Sequence, residues 1–341
     1  MHDEFRTLEA TAESAGGAAP MPALRVAPSP HIADPSLTTA RMMIDVLIGL
    51  APVIAMSVWV FRWYAVLQIV IATLSCLAAE ALATSMRRRA LTLGDFSAAV
   101  TGVILGLSLP WSAPWYVGVI AGFIAIGLGK AVFGGLGYNV FNPAMVGRAF
   151  VMIAFPGALG AAAYQAQGVA LHVVTEATPL TLAKQSAIAT DWWPLFLGTV
   201  NGSLGETSAL ACLLGGLWLC LRRTASWEIP ASIVGTVAVL AGIGQLVRPD
   251  SPMTLAHHLL GGALLFGAFF IATDPVTSPL TFRGKVVFGI GIGVLVWLIR
   301  TFSGYPEGVM FAVLVMNAVT PLLNRWVYPD PLGGPAPAPK S

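Results

Sequence analysis

Apolar residues in this chain come in long blocks separated by short polar intervals. The blocks lie near 42–61, 64–85, 96–109, 114–131, 145–163, 207–221, 229–247, 255–273, 286–300 and 308–323. Repeated runs of roughly 17–25 apolar residues read as membrane-spanning helices rather than core helices. Several of the ten are short or interrupted by Gly and Pro, and two are expected to be half-helices. The pattern predicts an all-α polytopic membrane protein of about ten transmembrane helices.

Composition agrees with the pattern. Hydrophobic residues make up 56% of the chain and charged residues 10%, against about 25% charged in a soluble domain. A net charge of +2 gives no reason to expect a nucleic-acid partner; the bilayer is the expected surroundings. Cys76, Cys212 and Cys220 lie inside or at the ends of apolar runs and form no CxxC pair. Neither a cysteine-ligated cluster within the chain nor a disulfide framework is suggested. Residues 1–36 are polar, rich in Ala, Pro and Ser, and lack an apolar h-region, so a disordered tail is expected there rather than a cleaved signal. A Pro-rich tail covers 329–341.

Charge placement sets the expected orientation. With a cytoplasmic N-terminus, Arg41, Arg87-Arg88-Arg89, Lys130, Arg222-Arg223, Arg283, Lys285, Arg325 and Lys340 all fall inside. Arg62, Lys184, Arg248 and Arg300 fall outside. Both termini are therefore expected in the cytoplasm, and the long hydrophilic interval 164–206 on the outer face. Ten spans divide into five and five, and an odd number per half forces the halves into opposite orientation. Inverted repeats of this kind build many transport folds, with broken helices at the repeat interface. The membrane domain is then 37–328, with repeat one at about 37–163, the outer loop at about 164–206 and repeat two at about 207–328. Candidate helix breaks are Asp95-Phe96-Ser97 with Leu109-Pro110, and Ala272-Thr273-Asp274-Pro275-Val276-Thr277.

Ionisable residues in or beside the spans are the candidates for chemistry, since a charge at bilayer depth is expensive unless paired or wet. Asp45, Glu80, Asp95, Arg148 and Asp274 qualify. Asp45, Asp95 and Asp274 are the ion-path candidates; the competing structural roles are an N-cap for Asp95 and a helix stop for Asp274-Pro275. Arg148 suits a flavin or a carboxylate as partner. The segment Gly134 to Ala144 is dense in turn formers and enters a helix through Asn142, a good N-cap, with Pro143 at the first helical position. It is no phosphate-binding loop, because no strand precedes it and no Gly-Lys-Ser/Thr follows. Ser303 to Gly308 reads as a tight outer turn. His257-His258 read as interface histidines rather than a metal pair, and no metal site is expected. Trp59, Trp63, Trp111, Trp115, Trp192 and Trp193 suit an aromatic belt. With no Ser-His-Asp order, HExxH or Walker motif, hydrolytic chemistry has no support and no catalytic residue is assigned.

Thr175-Glu176-Ala177-Thr178-Pro179-Leu180 lies in the longest hydrophilic interval. Taken alone, Thr178 is an unactivated hydroxyl in ordinary turn chemistry. Several stretches in order change that: Ser29-Pro30-His31, Gly134 to Arg148 with its Asn-Pro-Ala-Met core, Ala177-Thr178-Pro179-Leu180, Gly267 to Thr277, Trp297-Leu298-Ile299-Arg300, and Gly304-Tyr305-Pro306. With these, the chain resembles the RnfD/NqrB family. Its members are membrane proteins of the Rnf ion-translocating electron transport complex and, more distantly, of the Na⁺-translocating NADH:quinone reductase. The resemblance is to the Rnf branch first, and it runs from about Ser29 to about Tyr328.

The resemblance implies an FMN linked to Thr178 by a phosphoester, installed by a dedicated transferase. Thr175 supplies the Ser or Thr usual three residues before the acceptor, and Ala177 precedes it. Glu176 departs from the pattern by placing a negative charge beside the phosphate. Also implied are a redox-driven, ion-translocating complex of the NADH/ferredoxin type in a bacterial inner membrane, and one-electron relay by this chain. A second, noncovalent flavin (riboflavin) and part of a Na⁺ or H⁺ path go with it. The implied partners are a periplasmic flavoprotein subunit, small membrane subunits holding an iron–sulfur centre, and cytoplasmic iron–sulfur and NADH-binding subunits. The rival expectation is a channel or permease without redox chemistry, which the same span pattern would suit.

Overall fold

The computed structural model describes residues 38–88, 91–159, 178–185, 190–249, 251–303, 305 and 307–327. Among them every regular element is helical, and one isolated antiparallel bridge joins Pro110 to Ser203. In chain order the helices begin with α1 (Thr39–Phe61), which contains Pro52, and α2 (Trp63–Met86). Arg62 alone separates these two, and it holds a positive φ of 53°, which side chains other than glycine seldom adopt. Then come α3 (Ser97–Ser108) and α4 (Trp115–Ile126), which runs on through a π turn at Gly127–Ala131. Next are α5 (Pro143–Ala154) and the single turn α6 (Pro156–Leu159). The short helices α7 (Pro179–Gln185) and α8 (Trp192–Leu197) precede α9 (Ala209–Leu221) and α10 (Glu228–Val247). Last are α11 (Leu255–Leu260), α12 (Leu264–Phe266) with a π turn at Gly267–Ile271, α13 (Phe282–Phe302) and α14 (Val309–Trp326).

Five of these, α1, α2, α10, α13 and α14, are long and apolar enough to cross a bilayer. Shorter apolar helices occupy Ser97–Ser108, Trp115–Ala131, Pro143–Ala154 and Ala209–Leu221. Twelve residues rise only about 18 Å, well short of a hydrocarbon core about 30 Å thick, so α3 and α5 are each too short to cross it alone. Large apolar side chains face outward along the bundle, Leu221 and Leu246 at 82% exposure and Trp59 at 79%. A water-soluble protein would not leave so many exposed together. The chain is a multi-pass membrane protein.

The apolar run 255–273 is not one helix, contrary to its reading as a span. It breaks at Gly261-Gly262, and Gly262 holds a φ of 67°. The cause lies outside the run. Glu307 enters the gap, where its Oε1 accepts from the Ala263 N–H at 3.1 Å, and a Cβ on Gly262 would collide with that carboxylate. Arg300 donates to the freed carbonyls of His258 at 2.7 Å and Gly261 at 3.1 Å. At membrane depth a broken helix survives only when its loose backbone groups find partners of this kind.

Close packing holds the long helices together. On α13, a Cβ added to Gly289 would lie 2.7 Å from Cβ of Ser232, and one on Gly293 would lie 2.7 Å from Cβ of Thr236. Both neighbours belong to α10. Small residues four apart let the two backbones approach, which matters because lipid supplies no hydrophobic drive between helices.

Candidate functional site

Thr178 is the N-cap of α7. Its Oγ1 accepts from the Thr181 N–H at 3.3 Å and shares a 2.8 Å hydrogen bond with Thr181 Oγ1, while its carbonyl accepts from the Leu182 N–H. Leu180 and Ala183 turn the helix inward and are 1% exposed. Lys184 fastens its far end, donating to the carbonyls of Arg300 at 2.8 Å, Tyr305 at 3.1 Å and Ser303. Burial lowers the Lys184 pKa from its ordinary value. These bonds seat Thr178 against the α11–α12 break and the turn before α14.

Two arginine–glutamate pairs stand beside it. Arg148 on α5 donates to Glu206 Oε1 at 3.1 Å, and the wholly buried Arg300 donates to Glu307 Oε1 at 3.1 Å. Glu206, Glu307, Asn201 and Thr178 line one cavity of about 10 Å³, room for no more than a single water. Burial pushes the Glu307 carboxyl up to about 7, against the pull of the Arg300 guanidinium.

The residues fit an ester at Thr178. Its Oγ1 is needed as an acceptor by the Thr181 N–H, a role that an ester oxygen retains, and the Thr181 hydroxyl can act as the donor between the two side chains. The cavity beneath is far too small for a flavin ring, so a group carried on Thr178 would extend away from it. Thr175 and Ala177 lie outside the described residues. Arg148 is brought to this region but pairs with a carboxylate, one of the two partners considered for it.

The three ion-path candidates do not form one site. Asp45 on α1 accepts from Arg222 Nε at 3.4 Å and Thr224 Oγ1 at 3.1 Å, tying α1 to the turn after α9. Asp95 accepts from Ser97 N at 2.8 Å and Ser97 Oγ at 2.6 Å; it sits one residue before the N-cap position of α3, which Phe96 occupies. Asp274 accepts from the Val276 N–H at 3.2 Å and Thr277 Oγ1 at 3.1 Å, closing its own turn.

Sequence patterning gives Lys130 no role beyond its sign, yet it links two of those sites. Buried on the π turn after α4, its Nζ donates to Glu80 Oε2 at 2.9 Å and Ser97 Oγ at 2.7 Å. Lys130 lines a cavity of about 250 Å³ together with Glu80, Thr92 and Asp95. It also lines one of about 80 Å³ together with Asn142, Thr273 and Asp274. Around the smaller cavity two helix breaks meet. Asn142 caps α5 by accepting from Met145 N at 3.3 Å, as expected, and donates through Nδ2 to the Ile271 carbonyl at 3.3 Å. Asn317 accepts from the Asn142 N–H at 3.1 Å and donates to the Thr277 carbonyl at 3.2 Å. Among the described residues no cluster of His, Cys, Asp and Glu is arranged to hold a metal ion.

Residues 25–333 match the family model described as the NQR2, RnfD, RnfE family. The chain belongs to this family. It is 41% identical to the D subunit of the ion-translocating oxidoreductase complex of Halorhodospira halophila, covering 89% of this chain and 94% of that one. Identity is 39% with the D subunit of the Na(+)-translocating ferredoxin:NAD(+) oxidoreductase complex of Acetobacterium woodii, over 89% and 93% of the two chains. The D subunit of the ion-translocating oxidoreductase complex of Shigella boydii is 38% identical over 91% and 98%. The family match covers Thr178, both arginine–glutamate pairs and both helix breaks, so the site lies wholly within the family's shared region.

Proposed function

We propose that this chain is the membrane subunit of an ion-translocating electron-transport complex of the NADH/ferredoxin type, and that Thr178 carries FMN through a phosphoester. Family membership supports the complex. One geometric observation carries the flavin site: Thr178 is a half-buried helix cap whose oxygen is required only as an acceptor. FMN there would take up and release electrons singly. The residues of this chain would hold the carrier: Thr181 fixes the Thr178 oxygen, Lys184 fixes α7, and Arg300 with Glu307 fixes the break beneath.

The finer architecture belongs to the same proposal. Two inverted five-helix repeats would make ten membrane passages, the shorter helices α3 and α5 acting as half-spans. Both termini would be cytoplasmic, in a bacterial inner membrane. From the Lys285 end of α13 to Arg300 the helix rises over 20 Å, so Thr178 would face the outer side, far from the basic turns. Partners would be a periplasmic flavoprotein subunit, small membrane subunits with an iron–sulfur centre, and cytoplasmic iron–sulfur and NADH-binding subunits. The ion path would pass the Lys130 cavities, near Asp95 and Asp274. A second, noncovalent flavin such as riboflavin is also proposed; unfolding the purified chain and chromatographing what is released tests it.

The permease reading draws on the meeting of two helix ends, at Asn142 and Ile271, beside a mainly apolar cavity that Lys130, Asn142, Thr273 and Asp274 also line. One experiment separates the readings. The chain, produced with its flavin transferase and run on a denaturing gel, should give a fluorescent band that vanishes in Thr178→Ala. A dark band from the unsubstituted chain sinks the flavin proposal and favours the permease.

A further inference from the structure

The largest feature near α7 that the flavin reading leaves unused is a cavity of about 410 Å³ between the ends of α10 and α13 farther from Arg222 and Lys285. That volume is in the range of a small-molecule site. Lys184, Arg248 and Arg300 line it, and none of its described lining residues is an acid. The apolar part of the lining comes from Leu240, Ile243, Val247, Trp297 and Phe302. It opens onto the outward face of α10, where Ile243 is 53% exposed and Val247 74%.

A second observation points to an occupant. Arg300 and His258 both line the cavity and are 0% and 5% exposed, yet Arg300 Nε and His258 Nδ1 have no hydrogen-bond partner. Every other nitrogen of the Arg300 guanidinium is used, on the carbonyls of His258 and Gly261 and on Glu307. Buried polar atoms are seldom left unpaired, and each such atom carries a penalty of about 1–3 kcal/mol. Lys184 spends its donors on three carbonyls, so towards the cavity it contributes charge alone.

We infer that this cavity binds the head of an anionic phospholipid, with its acyl chains lying along the α10–α13 groove. A small free anion would match the cations and leave the apolar wall bare. A neutral lipid would match the wall and leave Lys184 and Arg248 without a counter-charge from the cavity, Arg300 being already paired with Glu307. An anionic amphiphile satisfies both halves, and the opening toward the lipid-facing side of α10 gives it a way in. Basic pockets between membrane helices hold anionic head groups in other proteins, there on the cytoplasmic side; the same pairing of charges is available at this end of the bundle. The inference does not depend on a flavin at Thr178.

Native mass spectrometry of the full-length chain in detergent tests it, with phosphatidylglycerol and phosphatidylcholine of matched acyl chains as the probes. Phosphatidylglycerol should be retained at least about fivefold better, and Arg248→Gln should lower its retention about fivefold, the weight of one basic side chain at a membrane surface. Gly244→Leu should abolish retention. A Cβ there meets nothing nearer than Trp297 at 3.8 Å, so this variant fills the cavity without disturbing the helices, and an unchanged melting temperature verifies that. Equal retention of the two lipids would overturn the proposal, as would indifference to Gly244→Leu. Displacement of phosphatidylglycerol by millimolar inorganic phosphate would overturn it too, and would assign the cations to a free anion instead.

Discussion

Arg300 and Glu307 illustrate how much one buried pair decides. Arg300 is wholly buried, and it closes three gaps at once: the carbonyls of His258 and Gly261, and the carboxylate of Glu307. Arg300→Leu would leave Glu307 buried without a counter-charge, a loss of about 3–5 kcal/mol in comparable pairs, and thermal unfolding in detergent should show it. The Glu307 carboxyl itself is pushed by burial from 4.5 up to about 7. A raised folded-state value means that the associated stability is fully present below about 4.5 and is lost as pH rises through about 7. The melting temperature of the unsubstituted chain should therefore fall, relative to Glu307→Gln, between pH 5 and 8. Parallel curves for the two proteins would show that Glu307 does not titrate in that window. Neither residue stood out in the sequence as a partner of the other across the turn, because ion pairing is a property of the folded backbone. Arg148 and Glu206 were further apart still, 58 positions along the chain, and nothing in local spacing links them.

Helices tell a different story, because their ends obey local rules. Asn142-Pro143 was legible as a helix start from side-chain chemistry alone and is one. The long spans α1, α2, α10, α13 and α14 followed from apolar length. The run 255–273 misled for a physical reason: hydropathy records what each residue prefers, not whether a distant glutamate will enter between two turns. Close helix contacts were equally hidden, since a glycine in an apolar run has no visible partner. Gly289→Leu should force α10 and α13 apart and destabilise the protein by about 1–3 kcal/mol. Gly235→Ala is the control, because a Cβ there meets nothing within 4 Å, and it should be neutral or slightly stabilising. Equal melting temperatures for the two variants would mean that the α10–α13 contact is not close-packed. At α7 the expected change is in dynamics. Lys184→Ala removes the bonds that hold the helix end, and hydrogen exchange at Leu182 and Ala183 should accelerate at least about tenfold, the loss of one charged hydrogen bond. No acceleration would show that α7 is held by Leu180 and Ala183 alone.

At the scale of the molecule, the candidate carrier site and the buried lysine lie toward opposite ends of the long helices, so electron and ion chemistry would be separated in space. Lys130 is the common wall of two cavities, one lined by Glu80 and Asp95 and the other by Asn142 and Asp274. Held to Glu80, the ammonium leaves that carboxylate unable to serve a passing cation, since the pair is close to neutral and each charge is already spent on the other. A cation could then pass only when Lys130 shifts its hold on Glu80 and Ser97, which makes the pair a natural gate in the proposed ion path. Removing the lysine alone would confuse gate with fold, because Glu80 would remain as an uncompensated buried charge. The double variant Lys130→Met, Glu80→Gln avoids this, since neutralising both members of a buried pair is often nearly neutral for stability. Reconstituted into vesicles as part of the complex, it should melt within a few degrees of the unsubstituted protein and keep its flavin band on a gel. Its Na⁺ or H⁺ uptake should fall at least about tenfold. Uptake at the original rate would show that Lys130 and Glu80 only brace α2 against α4, and the path would have to be sought elsewhere in the bundle.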